Sequence, residues 1–484
     1  MPASIEKSTF WMALSFGAFT VSGYLIYFIL GKYIFSVAEF GAFATIVAFV
    51  SLFDQILVNG FQQSVSKFVS EEKFDERKGR AFALKLQLAA SIALFAVLTI
   101  LAVPILGILN YDSGLFVFQV ALILLLTHPV IGVFMGFLNG KREFVLQSKI
   151  NIFYVALKFL LMVLLAAAGF RLFGAIAGFV ISSFMAALIS LALVKIKKPS
   201  VERAKAGFPA KRFALFTLSM VTFAIVTNIM LSIDLFFIRA LSPAQSANFL
   251  AGLYSAATVI SRIPQLAAMA FIAIAFPLIS YSVSRGDARV SNRYVSELVR
   301  YSLIIMLPMS AVIIAYSGPL LSLFFSARYS AATATLSILA VAAFAYSLFF
   351  IMASAISASG RPRFPVAIGI VSIIMDASLN FFLIPAFSIN GAAISIMISF
   401  GFGSAACIAY AARMYGNFVS AKSLLKMAVA TAAVFGASGF ARFQGILLIP
   451  VSIGMLALFF AVLYLLGEIG ESDFSRIRNL LSAK

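Results

Sequence analysis

The sequence has few of the side chains that perform catalysis or bind metals. Its 484 residues include a single cysteine, Cys407, and a single histidine, His128. One cysteine excludes an internal disulfide framework, and one histidine leaves little basis for a Cys/His metal site or a Cys-His catalytic pair. No segment matches the phosphate-binding loop GxxxxGK[ST], so we expect no ATP hydrolysis by this chain. The sequence therefore predicts no catalytic residues, no metal and no cofactor other than a coupling ion.

Charged residues are scarce as well, at 11% of the chain, whereas a typical soluble domain has about 25%. Hydrophobic residues form 63% of the chain, and the mean hydropathy is +1.07. Apolar runs recur from Phe10 to Leu466, and each can form the helix of about 20 residues that crosses a bilayer. We predict an all-α polytopic membrane protein with about fourteen transmembrane helices. The predicted spans are residues 10–30, 40–62, 83–108, 116–138, 144–169, 172–194, 213–238, 250–281, 298–317, 333–357, 364–386, 390–412, 424–441 and 446–467.

Acidic residues are the scarcer charge, with 17 Asp and Glu against 36 Lys and Arg, which gives a net charge of +19. If the N-terminus is inside, most of the basic residues fall at the cytoplasmic ends of the spans, as the positive-inside rule requires. The basic excess then sets topology and attracts anionic lipid headgroups, and it does not indicate nucleic acid. We expect a multi-pass protein of the cell (cytoplasmic) membrane with both termini in the cytoplasm.

The sequence contains an internal repeat of six spans. "EFGAFATIVAFVS" from Glu39 resembles "LAGLYSAATVISR" from Leu250, and "GKREF" at 140–144 resembles "GRPRF" at 360–364. "FGAIAGFVISSF" from Phe173 likewise resembles "NGAAISIMISF" from Asn390. Because six crossings return the chain to the same side, the two repeats are parallel, a plan found in transporters. Chance similarity between apolar helices is the alternative.

The repeat predicts four parts of the chain. Spans 1 to 6 form an N-lobe, residues 1–194, and spans 7 to 12 form a C-lobe, residues 213–412. A basic, proline-containing cytoplasmic linker, residues 195–212, connects them. Residues 413–484 add two further spans and a cytoplasmic tail.

The fifth predicted span carries a lysine near its centre. Lys158 follows Gln147, Asn151 and Tyr154 at spacings of four, three and four residues, which places these side chains on one face of a helix. A lysine at the bilayer centre costs about 3 kcal/mol on insertion scales, so it needs water or a partner. The spacing thus predicts a polar stripe from the cytoplasmic end of this span to mid-membrane.

Three further spans carry polar stripes. They are Ser51, Gln55, Asn59, Gln62 and Ser66 of the second span, with Asp54 at the edge; Tyr254, Thr258, Arg262 and Gln265 of the eighth; and Ser372, Asp376 and Asn380 of the eleventh. The repeat relates span 2 to span 8 and span 5 to span 11, so two independent patterns converge on the same four helices. We predict a hydrophilic cavity between the lobes. Its charged groups would be Lys158, Arg262, Asp54 and Asp376, with Asp234 of the seventh span nearer the outer end.

Structural ion pairs are the alternative explanation for these charges, for example a pair of Lys158 with Asp376. His128 could titrate or bond a carbonyl freed by Pro129, and the second role is favoured. The glycines of "GVFMG" at 132–136 and "GAIAG" at 174–178 predict close helix packing.

Several segments resemble one known family. "LGKYIFSVAEFGAFATIVAFVSLFDQILVNGFQQSVSKFVSE" from Leu30 has the family's loop ending in Tyr or Phe then Gly, and an Asp near a Gly in span 2. "SIDLFFIRALSPAQSANFLAGLYSAATVISRIPQ" from Ser232 has an Asp before the outer loop and a Gly-Leu-Tyr that opens span 8, and "GRPRF" matches the usual entry to span 11. On these segments the chain resembles the polysaccharide-transporter (O-antigen flippase) branch of the multidrug/oligosaccharidyl-lipid/polysaccharide flippase superfamily. The resemblance implies two six-helix lobes, alternating access, and export of a lipid-linked oligosaccharide to the outer leaflet.

The resemblance also implies roles for the polar residues. Lys158 and Arg262 would hold the phosphate of the headgroup, and Asp54, Asp234 or Asp376 would couple transport to H⁺ or Na⁺ or form ion pairs. The cavity would be lined by Gln55, Asn59, Gln62, Asn151, Tyr154, Thr258, Gln265 and Asn380. The expected partners are a lipid-linked oligosaccharide, membrane lipids and other glycan-assembly proteins, with no nucleic acid.

Two alternatives remain open. A multidrug and toxic compound extrusion antiporter, driven by H⁺ or Na⁺, belongs to the same superfamily, but it often has an acid in its first span and typically twelve spans. A membrane glycosyltransferase, polysaccharide ligase or polymerase would need a sizeable region outside the membrane, and the predicted outer loops are short. We therefore favour a transporter that is not an enzyme.

Overall fold

The computed structural model describes residues 2–71, 75–111, 114–194, 208–416, 418–440, 443–470 and 473. All regular structure in these ranges is helical. The chain forms two compact units, unit 1 from Met1 to Gly252 and unit 2 from Leu253 to Lys484. The predicted linker lies mostly outside the described residues, as does the tail after Asp473. The predicted lobe boundaries therefore stay a prediction.

Unit 1 contains the helices of the first seven predicted spans. They are α1 (Pro2–Ile29), α2 (Val37–Ser70), α3 (Glu76–Ile100), α4 (Ala102–Ile108), α5 (Leu115–Leu122), α6 (Leu124–Gly140), α7 (Phe144–Leu165), α8 (Arg171–Leu193) and α9 (Ala210–Leu241). The next helix, α10 (Ala244–Ser261), begins in unit 1 and ends in unit 2.

Unit 2 contains the remaining helices. They are α11 (Ile263–Ser284), α12 (Ala288–Ala315), α13 (Ser317–Phe324), α14 (Thr333–Ala358), α15 (Arg363–Phe387), α16 (Ile389–Tyr415), α17 (Ala421–Phe440) and α18 (Leu448–Leu465). Eleven helical stretches of the described chain are long and apolar enough to cross a membrane, and one of them, Phe144–Leu193, covers two predicted spans. The other two predicted spans, 213–238 and 250–281, lie on α9 and on α10 with α11. The predicted all-α membrane fold is confirmed.

Short polar motifs start several helices. Ser36 and Glu39 form a capping box at the start of α2, in which the Ser36 amide donates to Glu39 Oε2 over 2.8 Å and the Glu39 amide donates to Ser36 Oγ over 3.2 Å. These bonds satisfy backbone donors that a helix start leaves free. Asp75 and Asp287 cap α3 and α12 in a similar way.

The predicted close packing at the glycine motifs is confirmed. A Cβ atom on Gly136 of α6 would lie 2.6 Å from the Gln62 carbonyl oxygen of α2, and one on Gly178 of α8 would lie 2.6 Å from the backbone of α7. Any larger residue would push these helices apart. The two contacts fix α6 against α2 and α7 against α8, the four helices that form the site described below.

Backbone geometry supports the internal repeat. Arg171 precedes α8 with φ 44° and ψ −125°, and Ser388 precedes α16 with φ 53° and ψ −135°. Three residues later, Gly174 and Gly391 each lie against the end of the preceding helix, where a Cβ would be 2.5 Å from the Leu165 oxygen and 2.1 Å from the Leu383 oxygen, respectively. The same uncommon turn and the same close approach thus recur in repeat-equivalent helices.

Candidate functional site

The polar stripe on α2 is half-exposed, and the acid at its edge is buried. Gln55, Asn59 and Gln62 are of intermediate exposure, and Asn59 Nδ2 donates a hydrogen bond to Gln55 Oε1 over 3.4 Å. Asp54, by contrast, is only 4% exposed. The stripe therefore presents amides at the surface of unit 1, while Asp54 faces its interior.

Asp54 contacts the one histidine of the chain. His128 Nδ1 lies 2.7 Å from Asp54 Oδ2, and because an ionised carboxylate can only accept, the ring N–H is the donor. The predicted carbonyl partner of His128 is wrong, since its ring pairs with Asp54 and no other hydrogen bond to it is found among the described residues. Asp54 Oδ1 is buried and has no hydrogen-bond partner in the described part of the chain.

The stripe on α7 extends this pair into a cluster. The Tyr154 ring lies against the His128 ring, with centroids 5.4 Å apart and planes 31° from parallel. One turn further on, Lys158 Nζ lies 4.3 Å from the centroid of the Phe179 ring of α8. Asp54 acts electrostatically on both Tyr154 and Lys158. We call Asp54, His128, Tyr154 and Lys158 the polar cluster.

Lys158 is half-buried, and within unit 1 no described carboxylate forms an ion pair with it. Its ammonium group is therefore stabilised by the Phe179 ring and the nearby charge of Asp54 rather than by a direct partner. The alternative pairing with Asp376 joins residues of two units and stays a prediction. Asn151, on the cytoplasmic side of the cluster, donates to Ser15 Oγ of α1 over 2.7 Å.

In unit 2, Arg262 stands at a break between two helices. It is the residue between α10 and α11, with φ −83° and ψ −6°, and Pro264 occupies the first turn of α11. Proline lacks an amide hydrogen, so it is tolerated there but would interrupt a continuous helix. Arg262 acts electrostatically on the Tyr346 phenol of α14. Thr258 Oγ1 donates to the Tyr254 carbonyl of its own helix over 2.8 Å, and Gln265 is half-exposed.

The stripe on α15 is buried throughout. Ser372, Asp376 and Asn380 are 2%, 5% and 0% exposed. A Cβ on Gly403 of α16 would lie 2.8 Å from Ser372 Oγ, so this face packs on α16. Asp234, the remaining predicted acid, is buried on α9 near the C-terminal end of that helix. The structure thus joins Asp54, Tyr154 and Lys158 in unit 1, whereas the polar groups of α15 lie within unit 2.

Unit 2 also contains an apolar groove of about 640 Å³. Residues of α12, α14 and α17 line most of it, among them Leu303, Leu348, Met427 and Ala432. Thr431, one of its few polar residues, donates its hydroxyl to the Met427 carbonyl over 2.8 Å. The groove therefore offers a hydrocarbon-like surface with little unmet hydrogen-bonding capacity.

The fold and the site define a multi-pass helical membrane protein with charged groups in the middle of its spans. Residues 5–283, more than half of the chain, match the profile of the family described as polysaccharide biosynthesis protein. The chain belongs to this family. The resemblance inferred from the sequence is thereby confirmed.

Known proteins similar to this chain include one curated relative and several solved structures. The relative is named "Probable low-salt glycan biosynthesis flippase Agl15", from Haloferax volcanii, and is 24% identical over 209 residues. That match covers 42% of this chain and 41% of the relative, so the chain spans about two fifths of the relative's length.

Two solved structures share the fold over most of the chain. The lipid II flippase MurJ in an inward closed conformation has a TM-score of 0.73 at 13% identity, covering 94% of this chain and 98% of that one. An inward-facing multidrug resistance MATE family transporter of the MOP superfamily has a TM-score of 0.66 at 13% identity, covering 84% and 94%. At these identities the likeness concerns the fold.

Proposed function

We propose that the protein is a flippase that moves a lipid-linked oligosaccharide, carried on a polyprenyl phosphate or diphosphate, from the cytoplasmic to the outer leaflet by alternating access. The observation that carries this proposal is Lys158, a half-buried cation near the middle of a span with no direct acidic partner in unit 1. Membership of a polysaccharide biosynthesis family and a relative named as a glycan flippase support it.

The headgroup and the lipid chain pose different physical problems. Burying a polar group without a hydrogen bond costs a few kcal/mol, so a sugar phosphate cannot cross hydrocarbon unaided. The amides of α2 and the ammonium group of Lys158 would replace part of its water, and Arg262 would supply a second cation. The apolar groove of unit 2 would accept a polyprenyl chain, because its lining carries few free polar groups.

The membrane potential favours this direction of transport. When the cytoplasm is negative, moving a negative charge outward releases about 2.3 kcal/mol per charge per 100 mV. Neutralisation of the phosphates by bound cations would remove that drive. A coupling ion, H⁺ or Na⁺, would then act through Asp54, Asp234 or Asp376. The protein would reside in the cytoplasmic membrane with both termini inside, beside other glycan-assembly proteins, and would catalyse no covalent step.

The antiporter alternative has less support. A cationic drug would be repelled by Lys158 and Arg262, and the MATE structure covers a smaller share of the chain than the MurJ structure, with a lower TM-score. The enzyme alternative is not favoured by the curated relative, which is named as a flippase.

Flipping of a fluorescent lipid-linked oligosaccharide in proteoliposomes tests the proposal. The parent and the variants Lys158→Gln and Arg262→Gln are compared with Lys149→Gln as a matched control. Lys149 is an exposed lysine of the same helix, nine residues earlier and therefore on the opposite side at about 100° per residue. We expect the Lys158 variant to lose at least about tenfold in rate, as for a lost charged hydrogen bond, and the control to match the parent. A parent that moves no lipid-linked sugar but exports cationic dyes would support the antiporter instead.

A further inference from the structure

The polar cluster contains one histidine, His128. Histidine is the side chain that ordinarily gains or loses its proton between about pH 5 and 8. His128 is 15% exposed and its partner Asp54 6% exposed, as side chains, so neither is freely solvated. The proton on His128 therefore decides how much of the Asp54 charge is offset locally.

The balance of charge in the cluster depends on that proton. With His128 neutral, the carboxylate of Asp54 and the ammonium group of Lys158 offset each other. With His128 protonated, the imidazolium and Asp54 form an ion pair, and the charge of Lys158 is left over. The buried Asp54 Oδ1 lacks a hydrogen-bond partner among the described residues, so the contact with His128 is the one hydrogen bond found there for this carboxylate.

We propose that the polar cluster is a proton-linked anion site. Protonated His128 forms an ion pair with the Asp54 carboxylate, and the positive charge of Lys158 is then available to bind a phosphate. This inference rests on the proposed function and identifies a proton as the linked ion. Because linkage is reciprocal, a phosphate bound at Lys158 strengthens proton binding at His128 by the same factor. Headgroup affinity therefore falls when a rising pH removes the proton from His128.

Few other titratable groups lie in the middle of these helices. Tyr154 and Lys158 face the Asp54–His128 pair from α7, and α8 contributes the Phe179 ring and the hydrogen bond between Ser183 and Thr127 of α6. The remaining titratable groups on the packed helices lie nearer the helix ends. Among the residues whose side chains are described, they are Lys7, Tyr24 and Tyr27 on α1, Glu39 and Lys67 on α2, Glu76, Arg77, Lys78, Arg80 and Lys85 on α3, Lys149 on α7, Arg171 on α8, and Lys211, Arg212, Asp234 and Arg239 on α9. Asp54 and Tyr154 are therefore the titratable groups in direct contact with His128 among the described residues.

Binding of farnesyl diphosphate, a short polyprenyl diphosphate, tests the proposal. The protein is placed in lipid nanodiscs, and calorimetry at pH 6 and pH 8, in two buffers of different ionisation enthalpy, gives both affinity and proton uptake. The probe itself ionises in this range, so His128→Gln serves as the reference. We expect the parent to lose about tenfold more affinity than His128→Gln between these pH values, as for one unit charge about 12 Å away at an effective dielectric of about 20.

Two more variants separate the parts of the site. Asp54→Asn should bind the probe about as tightly at pH 8 as the parent does at pH 6, because this variant has no carboxylate at residue 54 to offset the positive charge of Lys158. Lys158→Gln should bind weakly at both. Equal pH slopes in the parent and His128→Gln would overturn the proposal, as would affinity that follows Na⁺ concentration instead of pH.

Flipping rates distinguish this inference from the proposed function. If the parent flips a lipid-linked oligosaccharide but His128→Gln and His128→Asn show the same pH profile as the parent, the proton link is wrong while the flippase function stands. If the parent flips nothing at any pH, the function itself fails. Should folding of the His128 variants be impaired, the Asp54→Asn profile provides the same test: a slope unchanged from that of the parent contradicts the proton link.

Discussion

The stripes on α7 and α15 belong to repeat-equivalent helices but differ in their surroundings. On α15, Ser372, Asp376 and Asn380 are nearly inaccessible and face a neighbour in their own unit. On α7, Tyr154 is buried, but Gln147, Asn151 and Lys158 are half-exposed. Buried polar groups contribute mainly to the packing of their own unit, whereas accessible ones can contact a ligand. The comparison therefore favours α7 over α15 as the place of the anion site that we propose.

The largest expected effect comes from reversing a charge on α7. Lys158→Glu places a carboxylate beside Asp54 and opposite the phosphate, so we expect flipping to fall at least about a hundredfold. Asp376→Asn keeps the shape of a side chain that is only 5% exposed, and we expect flipping within about threefold of the parent. Initial rates in proteoliposomes, normalised to reconstituted protein, measure both. Equal losses would show that the two stripes serve transport alike.

A second prediction concerns what the repeats share. Gly174→Val and Gly391→Val each place a side chain against a backbone carbonyl of the preceding helix, which cannot move independently. Overpacking of this kind costs about 1–3 kcal/mol, so both variants should aggregate at lower temperature in detergent. Gly401→Val is the matched control on α16, because a Cβ there has no neighbour within 4 Å. If only one of the two variants is destabilised, the repeats do not pack equivalently.

Residue spacing along the sequence identified the helices, the repeat and the face on which Lys158 lies, because helical periodicity is a local property. It did not identify what covers each face. Asp54 and Asp376 look alike in sequence, and only packing shows that one meets a histidine of α6. His128 lies near the middle of its predicted span, as Asp54 does, which was the one available signal. The side chains that meet across two helices depend on rotation and tilt, which composition does not determine.

The third prediction extends the comparison to an ion-pair network of unit 2. Asp473 Oδ1 accepts hydrogen bonds from Arg300 Nη1 over 3.1 Å and from the Tyr301 hydroxyl over 2.7 Å, and Arg300 Nε donates to Glu468 Oε1 over 3.0 Å. Burial alone would raise the pKa of Asp473, but the bonds from Arg300 and Tyr301 lower it to about 2 from an ordinary value of 3.8.

Because the folded-state pKa is lowered, the contribution of Asp473 to stability is fully present above pH 4 and disappears as the pH falls through about 2. Asp473→Asn should therefore lower the free energy of unfolding by about 1 kcal/mol at pH 7, and by less as the pH falls below 4. Glu297→Gln, in the exposed pair of Glu297 with Arg293, is the control and should change stability by less than about 0.5 kcal/mol. A difference between parent and Asp473→Asn that persists undiminished at pH 2 would contradict this account.

The smallest expected effect concerns an exposed ion pair of unit 1, between Arg171 and Glu39. Arg171 Nε donates to Glu39 Oε1 over 2.6 Å, but the Arg171 side chain is 51% exposed, so water and salt screen the pair. Glu39→Gln removes the charge while its side-chain oxygen can still accept the Ser36 amide of the capping box. We expect a loss of about 0–1 kcal/mol in thermal stability that vanishes at 1 M salt. Ser36→Ala, which breaks the capping box itself, should cost about 1 kcal/mol at any salt concentration. If Glu39→Gln lowers the stability more than Ser36→Ala does, the ion pair stabilises the starts of α2 and α8 more than its exposure predicts. The contrast between buried and exposed polar groups would then not apply at this end of unit 1.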